Sequence, residues 1–216
     1  GAAGSEITIQ VAKNVFIPNN VVACSPASTS PDITDLDDNN LIWRTPPSDA
    51  LQGQVLAQVA TENEGAETAA TMYVNNAYGQ ALSNSFVSAF DGTVQNQVSF
   101  PKGASSYSSQ LSQALSDDPD IVVVVGYPES GVQLFRDYYS GYDGSTPFLV
   151  TDGLQDSDLP SDVGNAMTNV QGSAPSASGP GRDFFTTEYQ NEFDAEPGVF
   201  TSQAFDATAV CLLANA

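Results

Sequence analysis

Histidine is absent from all 216 residues. That removes Ser-His-Asp and Cys-His catalysis and every histidine-ligated metal site. Cysteine is almost absent, with only Cys24 and Cys211. Their separation matches no metal-ligand spacing, and two cysteines make no disulfide framework. Cys24 closes an apolar run and Cys211 lies on an apolar helical face, so the sequence predicts two separate buried thiols. Lysine is confined to Lys13 and Lys102, and five basic residues stand against 26 acidic ones, a formal net charge of −21. Such a surface repels nucleic acid and anionic membrane, so neither is an expected partner. No signal-peptide pattern and no transmembrane run is read in these residues.

What is present argues for a folded chain. Hydrophobic residues make up 41% of the sequence and recur with clear periods, which separates this chain from acidic disordered segments. Strong acidity with little lysine suits molar salt, where the Debye length falls to about 3 Å and self-repulsion is screened. The acidity is then a solubility device, and a halophilic source is expected. The acidic cluster of Asp35, Asp37 and Asp38 lacks the spacing of a calcium loop and reads as a solvated loop.

The segment around residues 118–139 organises the chain. Asp-Pro-Asp (118–120) stops what precedes it, and Ile121 to Val125 form a short β-branched run typical of a strand buried on both faces. Gly126 and Pro128 break the run, and Val132, Phe135 and Tyr139 then recur at helical spacing. Similar strand–turn–helix pairs are read elsewhere. Ala69–Val74 is followed by a helix with Leu82, Phe86 and Phe90 inward, and residues 94–100 by a helix marked by Tyr107, Leu111 and Leu115. Further strands are read at Val21–Cys24, Leu41–Arg44, Phe148–Thr151 and Val170–Pro175. Helices are read over Glu6–Asn14, from Ser48 or Asp49 onward with Leu51, Val55 and Val59 sharing one face, and over Leu159–Met167, Phe184–Phe193 and Ser202–Asn215. In the last, Phe205, Ala209 and Leu212 share one side. Alternation of this kind predicts the α/β class with mainly parallel sheets.

Four strand ends carry groups suited to a small ligand: Ser25–Thr29, Tyr78, Tyr127 and Asp152. Hydroxyls and backbone N–H groups suit a carboxylate, a carboxylate such as Asp152 suits an ammonium, and aromatic faces cover the remainder. Converging, they describe an α-amino acid pocket. Taken singly, Thr29 and Ser30 structure a turn, Tyr127 packs, and Asp152-Gly153 is a common turn pair. The glycines at 126 and 131 form no phosphate-binding fingerprint, and Arg44 reads as structural, pairing with an acidic loop.

The order of motifs resembles the type I solute-binding proteins of branched-chain amino acid ABC transporters, the leucine/isoleucine/valine-binding kind. The resemblance is carried by Gly4-Ser5, SPASTSP (25–31), WRTPPSDALQG (43–53), NNAYGQAL (75–82), VVVVGYPESG (122–131) and FLVTDG (148–153). It implies two α/β lobes of the type I periplasmic-binding-protein fold, the second nearly complete and the first partial, with ligand held in the cleft. Residues 1–47 would belong to lobe one, 48–175 to lobe two, and 176–216 to the return into lobe one. Ser5, Ser28 and Thr29 would hold the ligand carboxylate, Asp152 would meet the ammonium, and Tyr78 and Tyr127 would line the cleft. Ser28 stands where many members have Ala, and Asp152 is shorter than the Glu of some. The implied function is an extracellular, membrane-tethered receptor that delivers an amino acid or analogue to an ABC permease. A ligand-sensing domain with the same fold is the alternative. No catalytic residue, metal or cofactor is implied. The chain looks cut at both ends, and a lobe-one remnant is expected to self-associate.

Overall fold

The computed structural model describes residues 1–164 and 167–214. The backbone divides into two units, Gly1–Ser48 with Pro175–Ala216, and Asp49–Ala174. The second unit holds a five-stranded sheet built of β3 (Thr68–Val74), β4 (Thr93–Phe100), β5 (Ile121–Val125), β6 (Phe148–Val150) and β7 (Val170–Gly172). The spatial order is β4-β3-β5-β6-β7 and every pairing is parallel. Parallel neighbours need crossovers, supplied here by α3 (Ala77–Ala89), α4 (Ser108–Ala114), α5 (Pro128–Gly141) and the short α6 (Leu159–Val163). All five residues of β5 are buried, as its β-branched run predicts for a central strand covered on both faces. Asp120, just before β5, accepts the Glu67 and Thr68 N–H groups at 3.0 and 2.8 Å and so pins the start of β3 beside it.

The first unit contains α1 (Ser5–Val11), β1 (Ala23–Ser25), β2 (Ile42–Arg44), α7 (Arg182–Phe193) and α8 (Thr201–Leu213), with β1 and β2 paired in parallel. Its small core gathers Ala12, Ala23, Ile33 and Ile42. Several large apolar side chains here stay in solvent, among them Val22, Trp43, Phe184, Phe193, Leu212 and Leu213. Cys24 and Cys211 both belong to this unit as thiols, Cys24 buried and Cys211 only half-buried. Burial pushes the Cys24 thiol up, and Cys211 pushes it further.

Two helices, α2 and α8, bury residues other than those that apolar spacing groups together. Helix α2 (Asp49–Gln58) buries Gln52, Gly53, Leu56 and Ala57, while Leu51 and Val55 are exposed. The reason is close approach to α3: a Cβ on Gly53 would lie 2.6 Å from the Ser85 carbonyl carbon, so small residues rather than branched ones form the contact. In α5 the fully buried residues are Ser130, Gly131, Leu134, Phe135 and Tyr138, and Val132 and Tyr139 are partly buried against the same core. In α8 the buried residues are Gln203 and Ala207, whereas Phe205 and Leu212 are exposed. The Gln203 carbonyl accepts the Thr45 hydroxyl at 2.7 Å, which turns that side of α8 inward.

Boundaries shift elsewhere. The first helix passes at Ala12–Phe16 into a wider π-turn, and β1 begins at Ala23 rather than Val21. Helix α6 stops at Val163 because Gly164 adopts a left-handed φ of 82°. The rest of the helix read to Met167 includes residues outside the described ones, as do the reading to Asn215 and the chain end at Ala216.

Candidate ligand-binding site

In the second unit the expected site residues follow the carboxyl ends of three adjacent strands, β3, β5 and β6. That edge of an open parallel sheet is where ligands bind. Asn76 caps α3, its Oδ1 accepting the Gly79 N–H at 2.9 Å, and this sets Tyr78 in the first turn. Tyr127 precedes α5, whose first residue is Pro128. Thr151 and Asp152 follow β6.

Tyr78 is placed beneath the site rather than at its surface, being 3% exposed. Its hydroxyl lies 2.9 Å from Asp152 Oδ1, 2.9 Å from Thr151 Oγ1 and 3.2 Å from the Gly153 nitrogen. A phenol has one proton to give, and ionised Asp152 can only accept. The Tyr78 O–H therefore donates to Asp152, and Thr151 and Gly153 N–H donate to Tyr78. Gly153 is required at this turn, because a Cβ there would collide with the Gly126 carbonyl and sit 2.9 Å from the Tyr78 oxygen. Burial, then Asp152 and Asp49, push the Tyr78 hydroxyl well above the ordinary phenol range.

Asp152 itself is 3% exposed. Burial raises its pKa, while the Tyr78 hydroxyl and the Gln52 amide oppose the rise. No lysine or arginine among the described residues pairs with it. A buried carboxylate held by hydrogen bonds is chemically suited to take a cation.

Tyr127 stacks on Tyr78 with ring centroids 5.5 Å apart and stays half-buried. The Asn76 side-chain amide donates to its hydroxyl at 3.4 Å. Burial raises the Tyr127 pKa. Lys102 Nζ sits 5.0 Å above the ring and 2.7 Å from Glu129 Oε1. This exposed pair links the loop after β4 to the first turn of α5 and is worth little by itself.

In the first unit Ser5, Ser28 and Thr29 come together at the end of β1, all buried. Ser5 Oγ accepts the Ser30 N–H at 3.2 Å. The Ser28 hydroxyl is spent internally, 2.7 Å from Thr8 Oγ1 and 3.0 Å from the Ala3 carbonyl. Thr29 differs. Its carbonyl accepts Arg44 Nη1 at 3.0 Å, but neither its N–H nor its hydroxyl has a hydrogen-bond partner among the described residues. Two donors on one residue, fixed by a neighbouring guanidinium, suit a carboxylate. Arg44 also reaches the Ser30 carbonyl and Thr34 Oγ1, each at 2.6 Å, so its structural role is to brace this loop through oxygens of residues 29–34.

Residues that the sequence did not nominate are Thr151, Asn76 and Gln52. Gln52 appeared only inside the 43–53 motif, four residues before the buried Leu56, and nothing local marks it as polar and inward.

The chain matches the periplasmic binding protein family model over residues 1–215. It belongs to that family. The family is one of binding proteins rather than enzymes, and its fold accounts for the parallel sheet flanked by helices. The chain is 27% identical over 195 residues to a chemotactic signal transduction system substrate-binding protein, BasB, of Halobacterium salinarum. That match covers 88% of this chain and 46% of BasB. It is 22% identical over 207 residues to a leucine-, isoleucine-, valine-, threonine- and alanine-binding protein of Pseudomonas aeruginosa, covering 93% of this chain and 55% of that protein. The chain thus spans about half the length of the curated relatives it matches. Among solved structures, the leucine-binding protein LivK of Thermotoga maritima superposes with a TM-score of 0.87 at 27% identity, over 97% of this chain and 61% of LivK. The isoleucine complex of LivJ from Streptococcus pneumoniae gives a TM-score of 0.80 at 22% identity, covering 100% and 62%, a likeness of fold alone. No helix among the described residues is long and apolar enough to cross a membrane.

Proposed function

We propose that the full-length protein is a solute-binding receptor that captures an amino acid, branched-chain or similar, for an ABC importer. It works outside the cell, tethered to the membrane. Asp152 carries the reading. Its carboxylate is buried, held by Tyr78, and paired with no lysine or arginine among the described residues, so a ligand ammonium completes it. Within the first unit, Thr29 beside Ser5 and Ser28 offers donors suited to a carboxylate, and within the second, Tyr127 offers an aromatic face beside Tyr78. Tyr78 acts through Asp152.

A thermal-shift screen of the full-length protein in molar KCl tests this, with amino acids, amides, urea and aromatic acids as probes. Ligand binding to the native state raises the melting temperature by mass action. A shift with a zwitterion, lost in Asp152→Ala, is the expected result. Shifts confined to neutral or anionic compounds would remove Asp152 from its role. The likeness to BasB supports a second reading, a sensor feeding a signalling system. Deleting the gene separates the two: an importer receptor loses uptake of the ligand, whereas a sensor loses taxis toward it and keeps uptake.

A further inference from the structure

Gln52 is 8% exposed and sits on the inward side of α2. Its Nε2 donates to the Ser173 carbonyl at 2.8 Å and lies 3.2 Å from Ser173 Oγ, so the amide orientation is fixed. With Nε2 so committed, Oε1 must face the other way, and it is buried without a hydrogen-bond partner. The Ser173 N–H donates to the Val150 carbonyl at 3.1 Å, two residues before Asp152, so Gln52 is seated at the carboxyl end of β6 beside that acid. A buried acceptor without a donor costs on the order of a net hydrogen bond or more. Here that cost falls near Asp152, a buried carboxylate that pairs with no lysine or arginine among the described residues.

We infer that Gln52 Oε1 is a second acceptor for the ligand's ammonium, acting with Asp152. An ammonium has three N–H donors and needs several acceptors to leave water. Tyr78 already occupies one Asp152 oxygen, so the carboxylate alone serves it poorly. A paired amide oxygen and carboxylate select a primary ammonium over a hydroxyl, which has one proton and no charge. This rests on the amino acid reading above and makes Gln52 a specificity residue within it.

The test uses the full-length protein and the amino acid giving the largest shift in a panel of all twenty. Binding of that amino acid and of its 2-hydroxy analogue is measured for wild type, Gln52→Met and Gln52→Glu, with melting curves confirming that each variant folds. Met keeps the length and removes both amide groups. Glu keeps acceptor oxygens and removes the donor to Ser173. The expected result is a loss of about tenfold or more for the amino acid in Gln52→Met, little change for the hydroxy acid, and recovery in Gln52→Glu. Equal losses for both ligands, or equal losses in both variants, would make Gln52 a brace for Ser173 and overturn the inference while leaving the receptor reading intact. Absence of any amino acid binding by wild type overturns both.

Discussion

Tyr78→Phe is the sharpest perturbation of the site, because it deletes one oxygen and nothing else. That oxygen gives Asp152 its 2.9 Å donor, and accepts Thr151 and the Gly153 N–H. A hydrogen bond to a charged group contributes about 1.5–3 kcal/mol, and stranding a buried partner adds about 1 kcal/mol or more. Thr151 can rotate toward another acceptor, but the Gly153 N–H cannot. The expected destabilisation is therefore about 2–4 kcal/mol. At roughly 2–4 °C per kcal/mol for a chain of this size, the melting temperature falls by about 5–12 °C. Tyr107→Phe is the matched comparison. That tyrosine is fully buried too, but its hydroxyl donates to the Pro101 carbonyl and accepts the Ala104 N–H, each at 3.0 Å and each uncharged. Its loss should cost about half as much, since charge-assisted bonds are about twice as strong as neutral ones. Melting followed by circular dichroism in molar KCl reads both. Equal shifts for the two variants, or a Tyr78→Phe shift below about 2 °C, would refute the assignment of Tyr78 as the group holding an ionised Asp152.

Asp152→Asn tests the cost of the empty acid. Burial raises the folded-state pKa of Asp152. The folded chain then holds this proton more tightly than the unfolded one, so the contribution to stability falls as pH rises from the ordinary carboxylate range through the raised value. Melting curves across that window should show a decline in the ligand-free wild type that Asp152→Asn flattens. Gly79→Ala should destabilise by several kcal/mol, on the order of an overpacking penalty, because a Cβ there collides with the Val74 carbonyl; denaturant midpoints read it. Lowering salt should lower the melting temperature as the net charge of −21 loses its screening, and a salt-independent midpoint would contradict the halophilic reading. The 216-residue chain by itself should bind hydrophobic dye and self-associate through the exposed apolar side chains of its first unit, which light scattering detects.

The fold class was legible because β5 is unambiguous: five β-branched residues between Asp-Pro-Asp and Gly have no other use in a chain of this kind. Helix α3 was equally clear, since Leu82, Phe86 and Phe90 are all buried as their spacing requires. Faces were misread where contact is made by small or polar residues. Gly53 and Ala57 pack α2 closely on α3 while Leu51 remains outside, and hydrophobic spacing cannot signal that. The role of Tyr78 was illegible for another reason. Its partner Asp152 lies 74 positions away, and only the sheet order places β3 and β6 on either side of β5. Gln52 meets Ser173 across 121 positions, so its inward orientation has no local signature. The hydroxyl loop after β1 could be read for its chemistry but not its accounting. Ser28 is consumed by Thr8 and Ala3, and Thr29 retains its donors.

Calorimetric titration of the preferred amino acid into wild type and Asp152→Asn tests the central claim most directly. Asn keeps the shape and an acceptor for Tyr78 but loses the charge. Removing one partner of a buried, hydrogen-bonded charge pair costs about 2–5 kcal/mol, so affinity should fall by about 30-fold or more. Affinities within about twofold of each other, against that expectation, would mean that the ammonium is bound elsewhere and that Asp152 is a structural acid.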